Sequence, residues 1–187
     1  MKPGHRYESL HLGDGREVVL RTLRKGDLPE AIRFANALVK ERSRNRDLGV
    51  LIDTRVSRLE EEDWLDKMVT GIRGGDVFNV AAFHGGNLVG NSDIHRHGFR
   101  DLRHSGTLGI AILEGYRGAG LGRRMLEHLL RAALDGGVSL VELRVLSINR
   151  PALGLYRSLG FRTAGRVPGK VVRRRRRIDE VLMFRQS

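Results

Sequence analysis

Residues 115–122 read Gly-Tyr-Arg-Gly-Ala-Gly-Leu-Gly, four glycines in eight positions, and the chain changes character across them. Before them, Thr107 to Leu113 is apolar and strand-like. After them, Leu121, Met125, Leu126, Leu129, Leu130, Ala133 and Leu134 recur at helical spacing, with Arg123, Arg124, Glu127 and Arg131 on the other side. Strand, tight turn and amphipathic helix follow each other without a spacer. Glycine lets a backbone approach a ligand with no Cβ in the way. The free amides and positive dipole end of a helix N-terminus suit a phosphate. The main chain from Gly118 to Arg123 is therefore expected to cradle a pyrophosphate.

Other glycine motifs fit less well. A P-loop needs Lys followed by Ser or Thr after its last glycine, where Arg123-Arg124 stands. A dinucleotide fingerprint needs a third glycine where Arg123 stands, although Glu142 lies at a distance suited to holding a ribose. A glycine turn that only packs a core helix is the plain structural alternative.

Residues 1–15 read as a tail, and 16–187 as one domain. A first strand is expected over Glu17 to Arg24, and a helix from Asp27-Leu28-Pro29-Glu30, with Asp27 as its cap, to about Lys40. Residues 41–56 are ambiguous. Ser57 to Glu60 is a capping box opening a helix that Gly74-Gly75 closes. Strands follow at Val77 to Phe83 and Leu88 to His95 around a Gly85-Gly86-Asn87 turn, then at Leu140 to Leu146 and Ile178 to Phe184, with a short helix from Asn149 to Leu159. The order implies an α/β (α+β) domain built on one mixed sheet.

Arg117-x-x-Gly120-x-Gly122 resembles the R/Q-x-x-G-x-G/A signature of the GNAT (Gcn5-related) N-acetyltransferase superfamily. Asn149 to Phe161 resembles the N-x-x-A-x-x-L-Y-x-x-x-G-F block of the same family, and Ile178 to Met183 the closing strand of a branch that acetylates protein or small-molecule amines. The resemblance covers about residues 75–184. It implies a mostly antiparallel sheet, helices on both faces, and two central parallel strands that splay around the pantetheine arm of acetyl-CoA. It further implies acetyl transfer to a primary amine: a protein N-terminus, a lysine or a small molecule. On this reading Ile110, Ala111 and Ile112 offer backbone groups to the pantetheine, and Arg117, Gly118, Ala119, Gly120, Leu121, Gly122 and Arg123 hold the pyrophosphate. Asn149 hydrogen-bonds the cofactor, and Tyr156 sits beside its sulfur to protonate the leaving thiolate. A backbone N–H on the Ile110–Ile112 strand would stabilise the oxyanion. A core aromatic is the structural alternative for Tyr156.

The general base departs from the family pattern. Relatives place a glutamate where this chain has Thr107 or Arg144. Glu142 shares a strand face with Arg144 and is the substitute named here, with an Arg144 ion pair as its alternative reading; His104 and relayed water are the others.

The absence of cysteine removes a thiol nucleophile, disulfides and Cys-based zinc sites. Asp93, His95 and His97, with His104 near, are read as surface groups rather than metal ligands, so no metal is expected. Thirty-four Lys and Arg against 22 Asp and Glu give a net charge of +12, which attracts polyanions. The run Arg173 to Arg177 is read as a solvated loop that could steer acidic partners or contact the cofactor's phosphates; it lacks interleaved aromatics for base stacking. A nucleic-acid partner, or a non-catalytic nucleic-acid-binding module on the same scaffold, stays open without being favoured. Glu60 to Asp63 could receive a cationic acceptor, or could simply favour a helix dipole. No apolar run approaches the roughly 20 residues of a membrane span, and Met1 to His5 has no signal-peptide core. A cytoplasmic enzyme without membrane contact is expected; relatives often form homodimers.

Overall fold

The computed structural model describes residues 1–45, 49, 54–173 and 175–187. Among them lie eight strands: β1 (Arg6–His11), β2 (Glu17–Arg21), β3 (Val77–His84), β4 (Asn87–Arg96), β5 (Ser105–Ile112), β6 (Leu140–Leu146), β7 (Arg162–Arg173) and β8 (Arg176–Gln186). They form one sheet in the order β1-β2-β3-β4-β5-β6-β8-β7. Every neighbouring pair is antiparallel except β5 with β6. Four α-helices complete the fold: α1 (Leu28–Arg44), α2 (Arg58–Gly74), α3 (Leu121–Asp135) and α4 (Arg150–Ser158). The mixed, mostly antiparallel sheet expected from the sequence is the observed one.

Strand alternation divides the core into two layers. Phe78, Val80, Ile94, Leu108, Leu143 and Met183 meet Met125, Leu126 and Leu129 of α3 and Leu153 of α4. Ala81 and Phe83 meet Phe34 and Leu38 of α1 and Leu65 and Val69 of α2 on the other face. Covered on both sides, β3 is buried at all but its last residue. Each fully buried Leu, Met or Phe contributes about 1.5–3 kcal/mol relative to exposure.

Ser57 and Glu60 form the expected capping box: Ser57 Oγ accepts from the Glu60 N–H at 3.3 Å, and the Glu60 carboxylate accepts from the Ser57 N–H at 2.8 Å. Gly75, at φ 75°, ends that helix. Asp27 does not cap α1. Lys25–Asp27 make a single 3-10 turn ahead of the helix, which directs the carboxylate back to the Arg24 N–H (2.9 Å) and to Arg21 (2.7 Å).

Two strands were missed. The expected tail contains β1, paired with β2 and tied down by Tyr7, whose hydroxyl donates to the Asn79 carbonyl at 3.0 Å, and by Glu8, which meets Arg124 at 2.6 Å and His128 at 2.9 Å. The other missed strand is β7, which pairs with β8 in a hairpin that carries the arginine run at its tip, with Arg174 outside the described residues.

Candidate functional site

The central feature is a missing stretch of ladder. β5 stays paired with β4 up to Ile112, and β6 stays paired with β8 up to Leu146. Between β5 and β6, pairing holds only at Ser105↔Leu140, Gly106↔Val141 and Thr107↔Glu142. Past these rungs the strands part, and each presents a backbone edge to the gap. The Leu113 N–H donates to the Val89 carbonyl at 2.9 Å. Alternation along β5 then directs Ala111 toward Asn91 of β4 and turns the backbone of Ile110 and Ile112 to the gap. The trio named from the sequence is thus divided, and Ala111 belongs to the ladder. The Ile112 carbonyl is already taken by Arg117 Nε at 2.7 Å.

The turn at the mouth of the gap has the expected form. Gly118 and Gly120 adopt φ 75° and 84°, values that side chains with a Cβ rarely take. Among the described residues no acceptor meets the amides of Gly118, Ala119, Gly120, Leu121 or Gly122. The Arg123 N–H donates to the Gly120 carbonyl at 3.1 Å, so the open cradle ends one residue earlier than expected. A Cβ on Gly122 would lie 3.2 Å from Leu155 and 3.3 Å from Ile112; glycine here lets α3 press against both α4 and β5.

Arg117 works through a residue that sequence reasoning missed. Its guanidinium grips the carboxylate of Glu41, with Nη2 at 2.9 Å, and the same carboxylate accepts from the Glu114 N–H at 3.3 Å. Glu41 is only 4 % exposed. The pair ties α1 to both ends of the turn, and the Arg117 side chain is committed to the protein rather than to a ligand.

Asn149 caps α4, its Oδ1 accepting from the Ala152 N–H at 3.3 Å. That leaves its amide NH2 end, which faces Gly49: a Cβ there would lie 3.3 Å away. Tyr156 is 7 % exposed and packs beside Phe161 at a ring separation of 5.8 Å. Its hydroxyl makes no hydrogen bond among the described residues, and burial pushes its pKa up to about 12.

On the sheet face shared with α1 and α2, polar groups collect at the closed end of the gap. The Thr107 hydroxyl donates to Glu142 at 3.4 Å. His97 Nε2 lies 3.1 Å from Thr107 Oγ1 and 3.7 Å from Glu142. Because the Ser105 hydroxyl donates to the Leu102 carbonyl at 2.8 Å, His97 Nδ1, 3.1 Å from Ser105 Oγ, is the donor in that pair. Glu142 is not paired with Arg144, which reaches across to Glu180 at 3.1 Å instead. His104 is separated from the gap by all three rungs, its carbonyl holding the amides of Ser139 and Leu140. His95 pairs with Asp93 at 3.2 Å, a hydrogen bond that raises its pKa, and so parts company with His97. The acids of α2 divide as well: Glu60 caps, Asp63 pairs with Lys67, and Glu61 is buried.

Together the gap offers a free strand edge, an amide cradle at its mouth and a carboxylate–imidazole pair at its closed end. A chain bearing phosphates at one end and an electrophilic carbonyl at the other matches that layout.

Comparison with known proteins follows the same lines. The sequence model of the Acetyltransferase (GNAT) family matches residues 42–161. The N-alpha-acetyltransferase RimI of Mycobacterium tuberculosis is 42 % identical over 86 residues, 46 % of this chain and 52 % of that protein. The chain thus spans about half the length of this relative. An acetyltransferase of the GNAT family from Streptococcus pneumoniae superposes with a TM-score of 0.80 at 24 % identity, covering 91 % of this chain and 99 % of that one. The yncA protein of Salmonella typhimurium, solved with its cofactor acetyl-CoA, gives 0.76 at 20 % identity over 90 % and 93 % of the two chains. At these identities the superpositions speak to the fold.

Proposed function

Since the chain belongs to the GNAT acetyltransferase family, we propose that it moves the acetyl group of acetyl-CoA onto a primary amine by direct attack in a ternary complex. The observation that carries this reading is the parting of β5 from β6 beyond Thr107↔Glu142, with the unpartnered amides of Gly118 to Gly122 at its outer end. Gly122 supports the fit, because a Cβ there would crowd the side-chain ends of Leu155 and Ile112 where α3 meets α4 and β5.

Acetyl-CoA supplies the activated thioester carbonyl. The cradle amides bind its pyrophosphate, and the Ile110 and Ile112 edge aligns the pantetheine as a further strand would. An N–H on that edge donates to the oxygen that gains charge as the amine attacks. Asn149 offers its NH2 end. Tyr156, held protonated by burial, donates to the departing sulfur. Glu142, at the closed end of the gap on the α1–α2 face, takes the proton released by the amine, and His97 at 3.7 Å shares it.

The acceptor is best read as the α-amine of a protein or peptide. RimI of M. tuberculosis is named for that chemistry, and Asp93, Glu142 and Glu180 give the open sheet face an acidic lining that draws in an ammonium group. A lysine or a small amine would meet the same groups. Thiol release from acetyl-CoA, followed with peptides bearing free or blocked N-termini, lysine peptides and small amines, tests both halves. Release that depends on a free peptide N-terminus is expected. No amine-dependent release from any acceptor would end the proposal, and release with small amines alone would replace the acceptor.

A further inference from the structure

The β7–β8 hairpin outruns the sheet. β6 stops at Leu146, opposite Glu180, yet β7 and β8 remain paired through Val171↔Ile178, Val172↔Arg177 and Arg173↔Arg176. A two-stranded ribbon therefore projects past the carboxyl end of β6, the end at which the gap opens and α4 begins. Residues 157–177 carry nine Lys or Arg and no acid, and five arginines are consecutive at the tip.

The tip is built against its own stability. The backbone register sets Arg173 opposite Arg176, and like charges facing each other across strands destabilise a hairpin. Arg175 adopts φ 64° at the tip, where glycine or asparagine would rest without strain. Arg166 pairs with Asp179 at 2.6 Å. Among the described residues no carboxylate lies within ion-pair distance of Lys170, Arg175, Arg176 or Arg177, and all four are exposed. Charge on an edge strand also discourages edge-to-edge aggregation. That purpose needs neither opposed arginines nor an arginine in a left-handed turn. A strained backbone retained among exposed cations with no carboxylate beside them points to a ligand that relieves it.

We propose that this ribbon binds nucleic acid through its phosphodiester backbone. Protein interfaces rely on buried aromatic and apolar anchors, and the segment from Arg162 to Arg177 contains no aromatic residue. Phosphate binding needs only an ordered array of cations, for which the guanidinium fork is well shaped. A two-stranded ribbon is also narrow enough for the major groove of a duplex, about 12 Å wide. The inference is independent of acetyl transfer, since the ribbon supplies none of the groups assigned to the cradle or the gap.

Fluorescence anisotropy of the full chain with a labelled DNA duplex of about 20 base pairs tests it: four phosphate contacts predict a log–log salt slope of about −3.6 and a roughly 150-fold loss of affinity between about 50 and 200 mM salt. The variant R175G/R176T/R177T should bind at least about tenfold more weakly and bring the slope to about −1, because each contact accounts for about 0.9. Its melting temperature should be equal or higher, since glycine suits the turn. Equal affinity in wild type and variant would overturn the proposal, as would binding indifferent to salt. Polyglutamate competing as well as unlabelled duplex would reassign the ribbon to an acidic protein. A raised KM for acetyl-CoA in the variant with unchanged duplex affinity would reassign it to the cofactor's phosphates. Failure of acetyl transfer in the wild type would leave this result untouched.

Discussion

Tyr156→Phe removes one oxygen and nothing else, which makes it a clean probe of the reaction. The ring keeps its place beside Phe161, and the hydroxyl has no hydrogen bond to lose among the described residues, so the melting temperature should hold. The cost falls on the transition state, where the departing sulfur becomes a thiolate. A hydrogen bond to a charged group contributes about 1.5–3 kcal/mol, so turnover should fall about 10- to 150-fold at about 1.36 kcal/mol per decade. The KM for acetyl-CoA should change little, because a thioester sulfur accepts hydrogen bonds poorly. With the hydroxyl at about 12 and an alkyl thiol near about 8.5, complete proton transfer is uphill by about 5 kcal/mol. Tyr156 therefore acts as a donor that stabilises charge rather than as a group that stays ionised. Steady-state thiol release across pH reads this directly. No limb from tyrosine ionisation should appear below about pH 10. Turnover within about twofold of wild type, or a fall matched by an equal fall in melting temperature, would refute the reasoning.

Two further outcomes follow from buried acids. Glu41→Ala strips the turn of its anchor; Arg117 is 34 % exposed, so the loss should be about 2 kcal/mol rather than the full value of a buried pair, a fall of about 4–8 °C by calorimetry, with a raised KM for acetyl-CoA. Adding Arg117→Ala should cost little more, and fully additive losses would dissolve the pair. Burial raises the pKa of Glu61 above its unfolded value, so the folded state is favoured below the unfolded value and loses that advantage as pH rises through the folded one. Glu61→Gln should accordingly raise the melting temperature at neutral pH, with the gain gone below about pH 4; equal gains at both pH values would disprove it.

Local chemistry was readable where the chain states it locally. The Ser57–Glu60 box, the Gly118 and Gly120 turn and the apolar stripe of α3 each depend on residues a few positions apart, and each appeared as expected except that Leu134, at the end of the stripe, is exposed. β7 escaped because it is exposed on both faces and interrupted by Gly165, Pro168 and Gly169, which erases the period of two. β1 escaped because Arg6, Glu8 and His11 dilute its alternation, and the groups that hold Glu8 lie on α3, over a hundred positions away. Glu41 carries no signal in the sequence: one acid on a charged helix becomes the anchor of the turn only because the fold brings Arg117 to it. Alternation grouped Glu142 with Arg144, but nothing local revealed that Glu180 would claim the arginine and leave Glu142 beside His97. Asp27 was misassigned because a cap and a 3-10 turn look alike until the carboxylate's direction is known.

The three rungs joining β5 to β6 make the sheet two blades riveted near one end: β1 to β5 form the larger, and β6, β8 and β7 the smaller. So short a rivet resists sliding better than swivelling. One apolar layer under α3 spans both blades, Phe78, Ile94 and Leu108 on the larger and Leu143 and Met183 on the smaller, and the arginine ribbon belongs to the smaller one. Ile110 and those arginines therefore stand on opposite sides of one joint, bridged by a shared apolar layer rather than by a continuous ladder.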